Sequence, residues 1–182
     1  MKLKYISTVL CGLWLAVSSS PGLALDLENT LYLTLKSGRV VIEMLPETAP
    51  MHVARIKELT RQKFYDGIKF HRVIEGFMAQ TGDPTGTGAG GSGKTLKAEF
   101  SDLPHVRGVV SMARKPDPDS ADSQFFIVYA RAQNLDRKYT IWGRVLDGME
   151  FVDQIKKGAS RGGVVTDPDV IVTLRIAADV DG

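Results

Sequence analysis

The chain has 182 residues, 43% of them hydrophobic and 24% charged, with 18 Gly, 8 Pro and a single Cys. That profile belongs to a folded domain with a turn-rich surface, and it excludes collagen-like, disulfide-scaffold and intrinsically disordered classes. Its 23 basic and 21 acidic residues nearly balance.

The first 24 residues read apart from the rest. Lys2 and Lys4 precede an apolar run over 5–17, followed by Ser18-Ser19-Ser20-Pro21 and the small-x-small triplet Gly22-Leu23-Ala24. This is the pattern of a cleaved signal peptide over 1–24. The run is too short for a membrane anchor, which needs roughly 20 apolar residues. Cys11 lies inside it, so the expected mature chain, 25–182, carries no cysteine. Loss of Lys2 and Lys4 takes the 23 basic residues to 21 against 21 acidic, leaving no electrostatic case for nucleic acid or an anionic membrane. A thiol-free domain suits an oxidising compartment, and a periplasmic location is the expectation. The mature length is enough for one domain with its own core.

In chain order, residues 31–35 (LYLTL) and 40–45 (VVIEML) are β-type runs separated by Lys36-Ser37-Gly38. They predict an opening hairpin. Thr48 is the expected cap, and Pro50 the first turn, of a helix to about residue 63 whose apolar face holds Val53, Ala54, Ile56 and Leu59. Short strands are expected at 69–73, 77–80, 109–113, 125–129, 140–145 and 170–177, with a second helix over 149–156 stopping at Gly158. Many short strands with two helices predict a closed or nearly closed β-barrel capped by helices, since closure removes exposed edges. The Gly-rich stretch 82–93 reads as a loop and 178–182 as a fraying tail.

Several motifs invite chemistry that their context denies. Residues 88–95 (GAGGSGKT) match the phosphate-cradling pattern G-x-x-x-x-G-K-[ST], but no buried strand precedes them and no helix follows. Asp117, Asp119 and Asp122 depart from calcium-loop spacing, and Val128 stands where the last ligand should be. His52, His71 and His105 lack metal-ligand spacing. A triad of His71 with Ser111 or Ser123 has no nucleophile elbow to support it.

Three segments remain: 70–80 (FHRVIEGFMAQ), 111–114 (SMAR) and 123–127 (SQFFI). Strand alternation around a turn can bring Arg72, Phe77, Met78 and Gln80 onto one outer wall. Taken singly, each residue also has a structural reading: the aromatics as core, Met78 as gap filler and Arg72 as an ion-pair partner. Together with Phe64-Tyr65-Asp66-Gly67, Leu135-Asp136 and Trp142-Gly143-Arg144-Val145, these segments make the chain resemble the cyclophilin family of peptidyl-prolyl cis-trans isomerases.

The resemblance covers nearly all of 25–182 and implies an isomerase domain there. The implied fold is mainly β, an eight-stranded antiparallel barrel capped by two α-helices, with no cofactor and an exposed groove for the X-Pro segment of a polypeptide. It also implies roles. Arg72 is the main catalytic residue, with Gln80 in the catalytic set beside it, and Gln80 and Gln124 orient the arginine and the substrate amides. Phe77, Met78, Phe126 and Leu135 line the proline pocket, the backbone at Ala113 and Arg114 holds the preceding residue, and Gly88 lies beside the groove. Asn134 stands where eukaryotic relatives often carry Trp, and the lost indole implies weak cyclosporin binding; Tyr139 stands where they carry His near the proline pocket and, keeping a ring and a hydroxyl, implies surviving catalysis with an altered peptide preference. Arg114, where Asn is common, adds charge at the rim and implies a taste for acidic residues before proline. The expected function is isomerisation of X-Pro bonds during folding of exported proteins, by a monomer. The alternative is a non-catalytic peptide-binding chaperone using the same groove.

Overall fold

The computed structural model describes residues 25–181; the expected signal peptide over 1–24, and Gly182, lie outside the described residues. Period-two alternation does what it predicts at the start of the chain. β1 (Thr30–Leu35) and β2 (Gly38–Met44) form the opening hairpin. Leu31, Leu33 and Leu35 on one strand and Val40, Ile42 and Met44 on the other are all buried.

The helix α1 (Pro50–Arg61) follows, with Pro50 in its first turn and Ala49 at its N-cap. Thr48 does not cap it. The carboxylate of Glu99, brought from a distant loop, accepts the orphan N–H groups of Met51 (3.1 Å) and His52 (3.0 Å) and also meets His52 Nδ1 at 2.6 Å. The buried face also differs from the expected one: Val53, Ile56 and Leu59 are inside, but so are His52, Arg55 and Thr60, while Ala54 is exposed. Arg55 is admitted because its guanidinium is paired with Glu58 (2.7 Å) and Ser92 (2.7 Å). Glu99→Ala should lower the unfolding free energy by about 1–2 kcal/mol, the usual worth of a lost cap. Urea denaturation with an unchanged m-value would show it.

Six further strands complete one sheet: β3 (Arg72–Ile74), β4 (Met78–Thr81), β5 (Val109–Met112), β6 (Phe125–Val128), β7 (Ile141–Asp147) and β8 (Thr173–Ile176). Their order is β3-β4-β6-β5-β7-β2-β1-β8, and every pairing is antiparallel. The sheet curls until its end strands, β3 and β8, approach each other, and the seam is stitched by loop contacts instead of a ladder. Lys69 bridges Val170 and Arg72 bridges Val164; Gly67 N donates to Ile171 O at 2.7 Å and Val73 N to Gly163 O at 2.7 Å. Those stitches shorten both end strands relative to the expected 69–73 and 170–177.

α2 (Met149–Asp153) is shorter than the expected 149–156. The chain turns away because Lys156 N donates to the Asp169 carboxylate (2.8 Å) and not to a helical carbonyl. The expected fraying tail is instead a helical turn, α3 (Ala178–Asp181), held by Tyr32 Oη on Asp181 (2.6 Å) and Arg61 Nε on Asp179 (3.1 Å). Inside the curl, Tyr65, Phe70, Phe125 and Trp142 are fully buried, with Phe125 edge-on to both Tyr65 (5.6 Å) and Trp142 (5.5 Å).

Candidate active site

β5 and β6 have no exposed face: every residue of Val109–Met112 and Phe125–Val128 is buried. Alternation explains why. Val110, Met112, Phe125, Ile127 and Ala79 point into the main core, whereas Val109, Phe126, Val128, Met78 and Ile141 point outward into a second apolar cluster on the opposite side of the sheet. Phe77, Ala113 and Tyr139 are partly buried against that outer cluster, and Leu135 closes it. A sheet face that would otherwise meet water is thus paved with apolar side chains.

Register places a polar row at the edge of this paving. Arg72 is opposite Gln80, Gln80 opposite Phe126, Phe126 opposite Ser111, and Ser111 opposite Ile141. Cross-strand partners share a face, so all five lie on the outer side. With strands roughly 4.8 Å apart, Arg72 and Phe126 stand on strands about 10 Å apart, the span of about three extended residues.

The guanidinium is held from both sides. Arg72 Nε donates to the carbonyl of Gly162 (3.0 Å) and Nη1 to Gln80 Oε1 (3.1 Å). Gln80 Nε2 donates in turn to Gln124 Oε1 (2.9 Å), and Gln124 Nε2 to the carbonyls of Gly88 (3.0 Å) and Gly90 (2.8 Å). Gly162 sits in a tight loop that only its glycines allow: Gly163 has φ +77°, and a Cβ there would stand 2.4 Å from Ile74 Cγ1. Of the expected site residues, Arg72, Gln80, Gln124 and Gly88 therefore form one hydrogen-bonded chain. Met78, Phe126 and Leu135, with Phe77, Ala113 and Tyr139, form the apolar cluster beside it. Met78, 1% exposed, and Phe126, 4% exposed, serve as the floor of that cluster more than its rim.

At the rim, Tyr139 stands edge-on to Phe126 (5.8 Å), and Arg114 lies over the Tyr139 ring (4.6 Å). Arg114 spends its N–H groups on the carbonyls of Lys138 (2.9 Å), Lys115 (2.9 Å) and Pro116 (3.1 Å), so it offers the rim a charge and a flat face. Asn134 is exposed beside Leu135 and joins neither group. A cleft of about 400 Å³ continues from Gln80 and Gln124 past Gly88 to Ala113, Arg114 and Lys115.

Sequence reasoning missed two supports. Asp83, 1% exposed, accepts N–H groups from Thr85 (2.8 Å), Thr87 (3.1 Å), Gly88 (2.6 Å) and Gly90 (3.2 Å), and Asp122 accepts those of Ser92 (3.0 Å) and Gly93 (2.8 Å). The amides that would cradle a nucleotide phosphate are thus taken by the protein's own carboxylates. Burial pushes the Asp83 carboxyl up, but the hydrogen bonds of Thr85, Gly90 and Gly88 outweigh it and hold it at about 2. Being the stronger acid when folded, it adds stability that is complete above the ordinary 3.8 and lost as pH falls through about 2. Unfolding free energy measured from pH 5 downward should therefore fall more gradually for Asp83→Asn than for wild type.

The second support is His105, fully buried, which meets Asp136 through Nδ1 (3.1 Å), Ser111 through Nε2 (3.2 Å), and stacks on Phe126 (6.3 Å between centroids). This is a Ser-His-Asp alignment, built on His105 and not on His71. Burial disarms it: Ser111 is 0% exposed and its hydroxyl donates to Thr140 O at 2.8 Å. Burial also pushes the His105 imidazole down, Asp136 offsetting this only in part. The alignment braces Phe126 from behind.

The site thus sets a partly buried apolar cluster beside a guanidinium held by two hydrogen bonds. The model for the family described as cyclophilin type peptidyl-prolyl cis-trans isomerase matches residues 30–176. A Brucella suis protein named as a probable peptidyl-prolyl cis-trans isomerase is 48% identical over 169 residues, covering 86% of each chain. Human peptidyl-prolyl cis-trans isomerase-like 3 is 47% identical over 125 residues, covering 66% of this chain and 77% of its own. Among solved structures, a cyclophilin from Hirschia baltica superimposes with a TM-score of 0.76 at 31% identity, covering 85% of this chain and 76% of that one. A Cryptosporidium parvum cyclophilin type peptidyl-prolyl cis-trans isomerase, crystallised in the presence of the dipeptide Ala-Pro, gives 0.74 at 29% identity, covering 81% and 98%. The chain belongs to the cyclophilin-type peptidyl-prolyl cis-trans isomerases.

Proposed function

We propose that this isomerase acts on proline-containing polypeptides as they fold after export, with Arg72 as its catalytic residue. The observation that carries the mechanism is the placement of the doubly anchored Arg72 guanidinium in one cross-strand row with Phe126. The X-Pro amide resists rotation by roughly 18–20 kcal/mol because rotation breaks its resonance. As the amide twists, its nitrogen pyramidalises and becomes an acceptor, so a donor fixed beside it binds the transition state more tightly than either planar isomer. Removing about 7 kcal/mol in this way gives about 10⁵-fold acceleration.

The prolyl ring rests on Phe126 between Phe77, Met78, Leu135 and Tyr139. Gln80 and Gln124 hold the guanidinium and the flanking amides, and the backbone of Ala113 and Arg114 takes the residue before proline, with Gly88 and Asn134 at the rim. Asn134 offers cyclosporin no indole, so its binding is weak. Export rests on the pattern over 1–24 and the absence of cysteine from 25–182, and the protein works as a monomer in the periplasm. Two-dimensional NMR exchange on an X-Pro peptide tests the activity, and the intact mass of the protein recovered from the periplasm tests the leader: a product beginning at Leu25 is expected, and an unprocessed cytoplasmic chain contradicts export. A groove that suppresses aggregation equally with and without Arg72 would point to the chaperone reading instead.

A further inference from the structure

We propose that Asp83 is a positioning residue for Arg72, acting through the glycine-rich loop and the amides of Gln124 and Gln80. The inference rests on the isomerase reading of the same site. Each link is directional. Gln124 gives both protons of its amide to carbonyls, Gly88 O and Gly90 O, so its own oxygen faces Gln80. Gln80 gives a proton to that oxygen, so its oxygen faces Arg72. An amide has one accepting and one donating end, and the polarity of the chain is set where it starts.

It starts at the loop, and the loop is shaped by one buried anion. Asp83 Oδ2 gathers the N–H groups of Thr87, Gly88 and Gly90, and Oδ1 those of Thr85 and its hydroxyl. Gly88 and Gly90 thus donate inward to Asp83 while their carbonyls accept from Gln124. Without the carboxylate, those carbonyls lose their fixed direction and the Gln124 amide is free to rotate. A rotated Gln124 presents N–H to N–H at Gln80, and a rotated Gln80 presents N–H to the guanidinium, which has no acceptor to offer. The loss then appears as misaimed Arg72.

The experiment uses wild type, Asp83→Ala, Gln80→Ala and the double variant, with exchange rates read by NMR at saturating X-Pro peptide. Asp83→Ala should lower the rate by about 10-fold, since a small misplacement of a catalytic group costs one to two orders of magnitude. In the Gln80→Ala background the same change should cost less than about twofold, because the chain is already cut. Formate, sized for the vacated carboxylate site, should restore much of the lost rate to Asp83→Ala and none to Gln80→Ala. If Asp83→Ala does not fold, Gly90→Ala replaces it: a Cβ there falls 2.2 Å from Asp83 Oδ1 and displaces the carboxylate. Equal losses in the two backgrounds, or wild-type rate in the Asp83 variant, overturn the proposal. The ¹⁵Nε resonance of Arg72 separates this failure from that of the isomerase reading. It should move in the Asp83 variant whether or not turnover is seen, and an unmoved resonance counts against positioning, while lack of exchange by wild type counts against the isomerase reading alone.

Discussion

Arg72→Ala is expected to lower kcat/KM on an X-Pro peptide by about 10²- to 10³-fold, the usual loss when a preorganised donor to the transition state is removed. The fold should be unaffected. Arg72 lies on the outer face of β3, a three-residue end strand, and among the described residues its side chain bonds only Gly162 O and Gln80 Oε1, neither a core contact. The loss should fall on kcat, since the interaction strengthens only as the amide twists. Arg72→Lys should recover little: an ammonium cannot reach Gly162 O and Gln80 Oε1 together while presenting a further N–H to the substrate. A protease-coupled assay on both variants checks this.

Phe126→Ala should cost about 3–5 kcal/mol of stability, the range for emptying an aromatic site in a core. Phe126 is 4% exposed, supports Tyr139 edge-on and is backed by His105, so deletion undermines both neighbours. Because small domains hold roughly 5–15 kcal/mol in all, the variant should still fold at 25 °C with a lowered urea midpoint. Its affinity for prolyl peptides should fall as well, since the ring loses its floor. Phe126→Leu, which keeps much of the volume, should recover most of the stability and only part of the affinity.

How far the sequence was legible follows from how local each cause is. The hairpin of β1 and β2 was readable because alternation and the two-residue turn Lys36-Ser37 before Gly38 act within a few residues. The pairing of Arg72 with Gln80 was partly readable, since a tight turn joins their strands. The run FFIV gave no hint that its alternate residues belong to two clusters on opposite faces; that depends on β5 and β7, which arrive from elsewhere. The α1 cap was misread as Thr48 because the true partner, Glu99, is 47 residues away. Gly162, which anchors Arg72, is 90 residues from it. Nothing in the spacing of His105, Ser111 and Asp136 announced a line of hydrogen bonds, since a loop and a 3-10 turn bring them together.

An intermolecular NOE experiment on the labelled protein with an Ala-Pro-containing peptide tests the placement of the prolyl ring beside Arg72. Contacts from the prolyl ring protons to the Phe126 and Phe77 rings are expected, with a simultaneous shift of the Arg72 side-chain nitrogens. Prolyl contacts confined to another face of the molecule, with the Arg72 signals unmoved, would contradict it.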